Sequence, residues 1–200
     1  TPDMREITIS DKSEACDFIK DSCKECNRKY ECTGENAAFC NHMKNILVAK
    51  YGAAEGCLKE SRIRHSMGVA NFLFAYAKSH DWSKEETEDL YLTGLLHDIG
   101  YIDNPKGTDH GRLGAEILKR NGLNAEICEL ISCHGRFIEN PSRKQALLWL
   151  ADLCVNRDGD YIGYQKRYES IKERYKNDPE RLFQVYRILE YLQIHFSEYR

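Results

Sequence analysis

From Ala37 onward the apolar residues recur at helical spacing. Ala38, Phe39, Met43, Ile46, Leu47 and Ala49 form one face of a segment, 37–51, that stops at Gly52. Ile63, Met67, Val69, Ala70, Phe72, Leu73 and Tyr76 do the same within 58–80. Apolar residues three and four apart are what a helix shows when one side faces a core. Ser83 and Glu86 have the spacing of a capping box, which predicts the start of a helix running into His97-Asp98. Thr108 or Asp109 predicts the start of a helix carrying Leu113, Ala115, Ile117 and Leu118, stopped by Asn121-Gly122. Asn124 opens another helix, to about His134-Gly135, and Ser142 opens the next, through Leu147, Leu148 and Leu150 to Asp152. Asp178-Pro179 is a cap followed by proline at the first helical position, and Leu182, Val185, Leu189 and Leu192 follow it. Alternating β-branched runs and internal repeats are missing. The expected fold is all-α.

Residues 1 to about 35 break this pattern. They are polar and irregular, and Cys16, Cys23, Cys26, Cys32 and Cys40 crowd into the first fifth of the chain. The pattern predicts two parts, a Cys-rich segment over 1–40 and a helical domain over 41–200. Cys23, Cys26, Cys32 and Cys40 supply four thiolates in a short span, the donor set of a structural zinc or an iron–sulfur cluster. Free thiols and disulfides remain alternatives, because the spacing matches no standard signature. In a reducing compartment such a cluster more often means metal or redox chemistry than structural disulfides.

Composition narrows the function classes. The chain has 42% hydrophobic and 30% charged residues and a formal net charge of -3. Its basic residues are dispersed, so no nucleic-acid footprint is expected. No apolar run approaches the roughly 18 residues that a membrane span needs. Thr1 to Lys12 is polar, unlike a secretory signal, so a cytoplasmic location is expected. Nothing in the sequence excludes an oligomer.

The candidate chemistry lies at the helix ends. His97-Asp98 closes the apolar run Leu92 to Leu96, and Gly100 follows. His65 lies mid-helix among apolar neighbours. His110 opens a helix, His134 ends one, and both precede glycine. Asp152 interrupts the apolar stretch Ala146 to Leu153, where a carboxylate is costly to bury unless paired or metal-bound. Any one of these residues alone is more often a core or capping group. Together, four imidazoles and two carboxylates suit iron, manganese, cobalt or zinc. Six donors also suffice for two ions bridged by Asp98. His42, His80 and His195 lie in polar surroundings and receive no role.

Arg64-His65-Ser66, Leu95-Leu96-His97-Asp98-Ile99-Gly100 and Leu150-Ala151-Asp152 resemble the H…HD…D pattern of the HD-domain superfamily of metal-dependent phosphohydrolases. The resemblance covers about residues 58–165, and it implies an HD-domain helical bundle. With Asp109-His110-Gly111, Gly114-Ala115-Glu116 and His134, the arrangement is similar to the YqeK-like group. Members of that group carry a dinuclear iron site and cleave diadenosine tetraphosphate symmetrically. The resemblance implies that His65, His97, Asp98, His110, His134 and Asp152 are the ligands of two divalent metals, with iron first and manganese second. Asn156-Arg157-Asp158 resembles the basic segment after the last Asp of that group, so Arg157, and Arg64 from the first helix, are expected at phosphate. Lys106 and Arg136 are weaker candidates. The chain departs from the pattern at Tyr101, where many relatives have Lys, and at Gly135-Arg136.

The resemblance implies a phosphohydrolase in which metal-activated hydroxide attacks a nucleotide phosphate in line, with Asp98 positioning the nucleophile. Two other readings keep the same residues. One is a diiron oxygenase of HD type, with Tyr101 beside the site. The other is a non-catalytic nucleotide or redox sensor, with the Cys segment as the sensing element.

Overall fold

The structure is a computed structural model that describes residues 60–102, 104 and 106–200. Seven α-helices are present among the described residues. They are α1 (Glu60–Ser79), α2 (Lys84–Leu96), α3 (His110–Arg120), α4 (Ala125–Cys133), α5 (Arg143–Cys154), α6 (Tyr164–Arg174) and α7 (Pro179–His195). Short 3-10 turns at Ile99–Tyr101 and Ser197–Tyr199 complete the set. The described residues hold no β-strand, and an isolated bridge joins Val155 to Tyr161. The all-α expectation is met.

Capping chemistry sets the helix starts. The Ser83 hydroxyl accepts from the Glu86 N–H at 3.1 Å, and the Glu86 carboxylate accepts from the Ser83 N–H at 3.3 Å, a reciprocal pair. Asn124 caps α4 through the Glu126 N–H, Ser142 caps α5 through Gln145, and Asp178 caps α7 ahead of Pro179. Asp109 holds the N-cap position of α3 differently. It is left-handed at φ 58, and its carboxylate is bound to the Arg112 side chain instead of to a helix N–H. The predicted helix over 37–51, the Cys-rich segment and the division at residue 40 lie outside the described residues.

Helix α1 packs on α2 and α5, α3 on α4 and on the first 3-10 turn, and α5 on α6 and α7. Two apolar clusters meet along α1. One joins Ile63, Met67 and Phe74 to Leu95, Leu96, Leu118 and Ile131. The other joins Val69, Phe72 and Leu73 to Leu148, Trp149, Leu150, Leu189 and Leu192. Helix α5 is buried from Gln145 through Ala151, as a helix enclosed on all sides must be. Hydrophobic periodicity does not announce α6. Its buried residues are Tyr164, Arg167 and Ile171, and one of those three is a cation.

Candidate metal centre

Six side chains from five helices converge between the two clusters. His65 comes from the buried face of α1. His97 caps the end of α2, and Asp98 follows it. His110 is the first residue of α3, His134 caps the end of α4, and Asp152 lies near the end of α5.

Each imidazole is fixed by one backbone acceptor. The Nδ1 of His97 donates to the Gly94 carbonyl at 2.7 Å, that of His110 to Gly107 at 2.9 Å, and that of His134 to Ile131 at 2.6 Å. All three acceptors lie three residues earlier in the chain, so the device is local. His65 donates across the fold to the Asn156 carbonyl at 3.0 Å. A carbonyl can only accept, so every Nδ1 carries a proton and each ring, when neutral, presents its lone pair at Nε2.

Those lone pairs face the two carboxylates. Asp152 Oδ1 lies 2.9 Å from His65 Nε2 and 3.7 Å from His97 Nε2. Asp98 Oδ1 lies 3.6 Å from His97, 3.4 Å from His110 and 3.5 Å from His134. Donor atoms about 2.1 Å from one ion, at octahedral or tetrahedral angles, lie about 3.0–3.4 Å apart, and the observed spacings bracket that range. His65, His97 and Asp98 form one group able to hold an ion, and Asp98, His110 and His134 form another, so Asp98 belongs to both.

Two further observations fit a cation. His97 Nε2 is buried with no hydrogen-bond partner. His110 Nε2 and His134 Nε2 stand 2.9 Å apart with both Nδ1 protons already committed, so two lone pairs confront each other unless a positive charge lies between them. The electrostatics agree. Burial opposes ionisation of Asp98, but His97 and Arg62 hold its carboxyl well below the usual range. Burial likewise opposes ionisation of Asp152, but the adjacent His65 and His97 rings hold its carboxyl well below the usual range. Burial also works against a charged His97, yet Asp98 and Asp152 raise its pKa to about 9. Without metal, that proton stands where a divalent ion would. His110 is lowered to about 4 by burial and by the neighbouring His134.

The centre is open on one side. The side chains of His97 and His134 are 0% and 1% exposed, whereas those of Asp152 and His110 are 29% and 17% exposed. Beside His110, a cavity of about 330 Å³ opens between α3, α4 and α7, lined among others by Ser132, Arg136, Asp178, Arg181 and Gln184.

Close backbone contacts bring the ligands into place. A Cβ at Gly68 would lie 2.4 Å from the Gly159 carbonyl oxygen, so α1 approaches the loop after α5 at the distance that pairs His65 with Asn156 and Asp152. A Cβ at Gly100 would lie 1.8 Å from the His110 carbonyl oxygen. The absence of a side chain there lets the turn after Asp98 rest on the first turn of α3.

The sequence-based phosphate candidates are Arg64, Arg157, Lys106 and Arg136. Arg64 pairs with Asp158 at 3.4 Å, and Arg157 and Lys106 are exposed. Arg136 lines the cavity. Arg62 is the residue that sequence reasoning missed. It contacts Asp98 and stacks 3.7 Å over the Tyr101 ring, which itself lies 4.4 Å from the His110 ring. Its position three residues before His65, hence on the same helix face, was the available signal. His80 stacks on Tyr76, and the His195 ring lies tilted 4.2 Å from that of Tyr191. Cys128, Cys133 and Cys154 are free thiols, while Cys23, Cys26, Cys32, Cys40 and His42 lie outside the described residues. No helix among the described residues is long and apolar enough to cross a membrane.

Comparison with known proteins points the same way. The chain is 35% identical over 92 residues to "Ribonuclease Y" of Fervidobacterium nodosum, an alignment covering 42% of this chain and 18% of that protein. It is 31% identical over 77 residues to "Uncharacterized protein MJ0778" of Methanocaldococcus jannaschii, covering 38% of this chain and 45% of the relative. The chain therefore spans less than half the length of either curated relative. No solved structure matches it. Residues 62–185, which hold all six converging side chains, match the family described as "HD domain", and the chain belongs to that family, whose members are generally metal-dependent hydrolases.

Proposed function

We propose that this chain is a phosphohydrolase that uses two divalent transition metals, iron or manganese, to hydrolyse a nucleotide phosphate. One observation carries the reading. Four Nε2 lone pairs, each held by an Nδ1–H donated to a backbone carbonyl, converge on two ionised carboxylates, and Asp98 is shared between two ligand groups. When bound, the metals would supply Lewis acidity, which activates water and neutralises the phosphoryl charge.

The chain's own residues do the rest. His65, His97 and Asp152 would hold one ion, and His110 and His134 the other, with Asp98 between them. Arg62, bound to the outer oxygen of Asp98, fixes the orientation of that carboxylate. The partly exposed Asp152 and His110 edge gives the substrate its approach, and the cavity beside His110 offers room for the leaving portion. Burial of the His97 and His134 side chains excludes water from the opposite side.

Diadenosine tetraphosphate is the first substrate to test, on the YqeK-like resemblance. RNA is the second, because one relative bears the name "Ribonuclease Y". The protein should be purified without oxygen, assayed for metal and acid-labile sulfide, and then incubated with diadenosine tetraphosphate, simple nucleotides and a short RNA. About two metals per chain with hydrolysis of one of these phosphate substrates is the expected result. Metal beyond two, with sulfide, would assign a cluster to Cys23, Cys26, Cys32 and Cys40. Two metals with no cleavage of any substrate would overturn the hydrolase reading in favour of the oxygenase or the sensor.

A further inference from the structure

Arg167 is the one lysine or arginine buried among the described residues, at 6% exposure. It lies on the inner face of α6 with Tyr164 and Ile171, at the spacing i, i+3, i+7, and α6 packs on α5, the helix that carries Asp152. An apolar side chain at this position would complete that face. Instead the Arg167 Nε is buried without a hydrogen-bond partner, and no carboxylate forms a salt bridge with the guanidinium among the described residues. Buried arginines are ordinarily paired, because an unpaired buried donor costs stability.

We propose that Arg167 is an anion-binding residue of the metal centre, its unpaired guanidinium donating to a phosphate oxygen of the substrate held beside Asp152. This rests on the metal-centre reading above and extends it to a residue that no sequence motif marks. The surroundings are those of the site. Burial pushes the guanidinium's pKa down, Asp152 and Asp98 pull it up, and Arg174 and Arg62 add repulsion, so Arg167 lies within the field of both carboxylates. A phosphate at the open Asp152 edge would supply the acceptors that the fold withholds, and the planar fork of arginine suits such oxygens. The balance of charge also fits. Metals neutralise Asp98 and Asp152, and once they are neutralised Arg167 is left as surplus positive charge facing the substrate.

The test uses the full chain loaded with manganese and titrated with inorganic phosphate. Wild type is compared with Arg167→Met and Arg167→Lys, and metal content is measured in each. Melting of the metal-free proteins is recorded alongside. Arg167→Met should weaken phosphate binding about tenfold or more, at unchanged metal content. Its metal-free melting temperature should hold or rise, because an unpaired buried charge has been removed. Arg167→Lys should bind phosphate with intermediate affinity.

Wild-type phosphate affinity in Arg167→Met, or no phosphate binding by wild type, would overturn the proposal. So would a melting temperature lowered in both variants with phosphate affinity retained in Arg167→Lys, the signature of a structural arginine. If Arg167→Met does not fold, Arg167→Lys decides by the same measurements. Phosphate binding that depends on Arg167 in a protein that cleaves nothing would remove the hydrolase reading and leave this one standing. Cleavage and phosphate binding both indifferent to Arg167 would do the reverse.

Discussion

Arg62 and Asp98, 36 positions apart in sequence, form an ion pair at 2.7 Å that occupies the outer oxygen of the carboxylate and leaves the inner oxygen to three imidazoles. The two oxygens of Asp98 thus have separate duties. Oδ2 is held by the guanidinium, and Oδ1 is aimed at His97, His110 and His134. Removing the guanidinium frees the carboxylate to rotate. Arg62→Met should therefore weaken metal binding about 10–100-fold, the usual effect of losing an outer partner of a ligand. Competition against a chromogenic chelator measures it, and an unchanged dissociation constant would show that the pair does not orient Asp98.

His97→Ala and Asp98→Ala each remove a donor that belongs to two of the groups able to hold an ion. Each variant should lose most bound metal and most hydrolysis while its far-ultraviolet circular dichroism stays that of a helical protein. Elemental analysis of the purified variants is the check. Full metal occupancy in both would place the metal elsewhere.

Chelation should lower stability without dissolving the helices, since the two apolar clusters exist independently of the ligands. Each ion, at about 100 times its dissociation constant, adds about 2.7 kcal/mol to the native state. That corresponds to a rise in melting temperature of about 5–11 °C per ion for a domain of this size. Calorimetric scans with and without chelator would show it. Equal melting temperatures would mean that no ion binds the folded chain preferentially.

Gly100→Ala places a methyl group where the His110 carbonyl oxygen already stands. Since the clash is with backbone, the turn and α3 must separate. The variant should lose about 1–3 kcal/mol of stability, as overpacking does. It should also lose one of the two metals in preference to the other, because His110 moves away from Asp98 while His65 and Asp152 stay paired. Urea titration together with metal counting distinguishes this from general unfolding.

Cys23→Ser and Cys26→Ser lie outside the helical centre's ligand set. They should leave manganese binding at the six converging residues unchanged while removing any zinc or iron–sulfur cluster held by the N-terminal thiolates. Metal analysis before and after selective reloading separates the two sites. Loss of both sites together would tie the Cys segment to the metal centre.

Six of the seven described helices, and the chemical types at their ends, are legible in the amino-acid order. Periodicity marks α1, and Ser83, Asn124, Ser142 and Asp178 mark the starts of α2, α4, α5 and α7, because capping is satisfied within three residues of chain. The fixing of His97, His110 and His134 is equally local, each held by a carbonyl three positions back. Helix α6 escaped, since an arginine on its inner face breaks the apolar pattern. Which groups meet is set by the packing of the helices. Pairing Asp98 with Arg62, bringing His65 to Asp152, and leaving Arg167 buried without a partner depend on how α1, α5 and α6 pack. Such meetings rest on long-range contacts through side-chain-free positions such as Gly68 and Gly100, whose effect appears only when two distant backbones touch. A linear pattern records what each residue can donate; the packed fold fixes the partner that receives it.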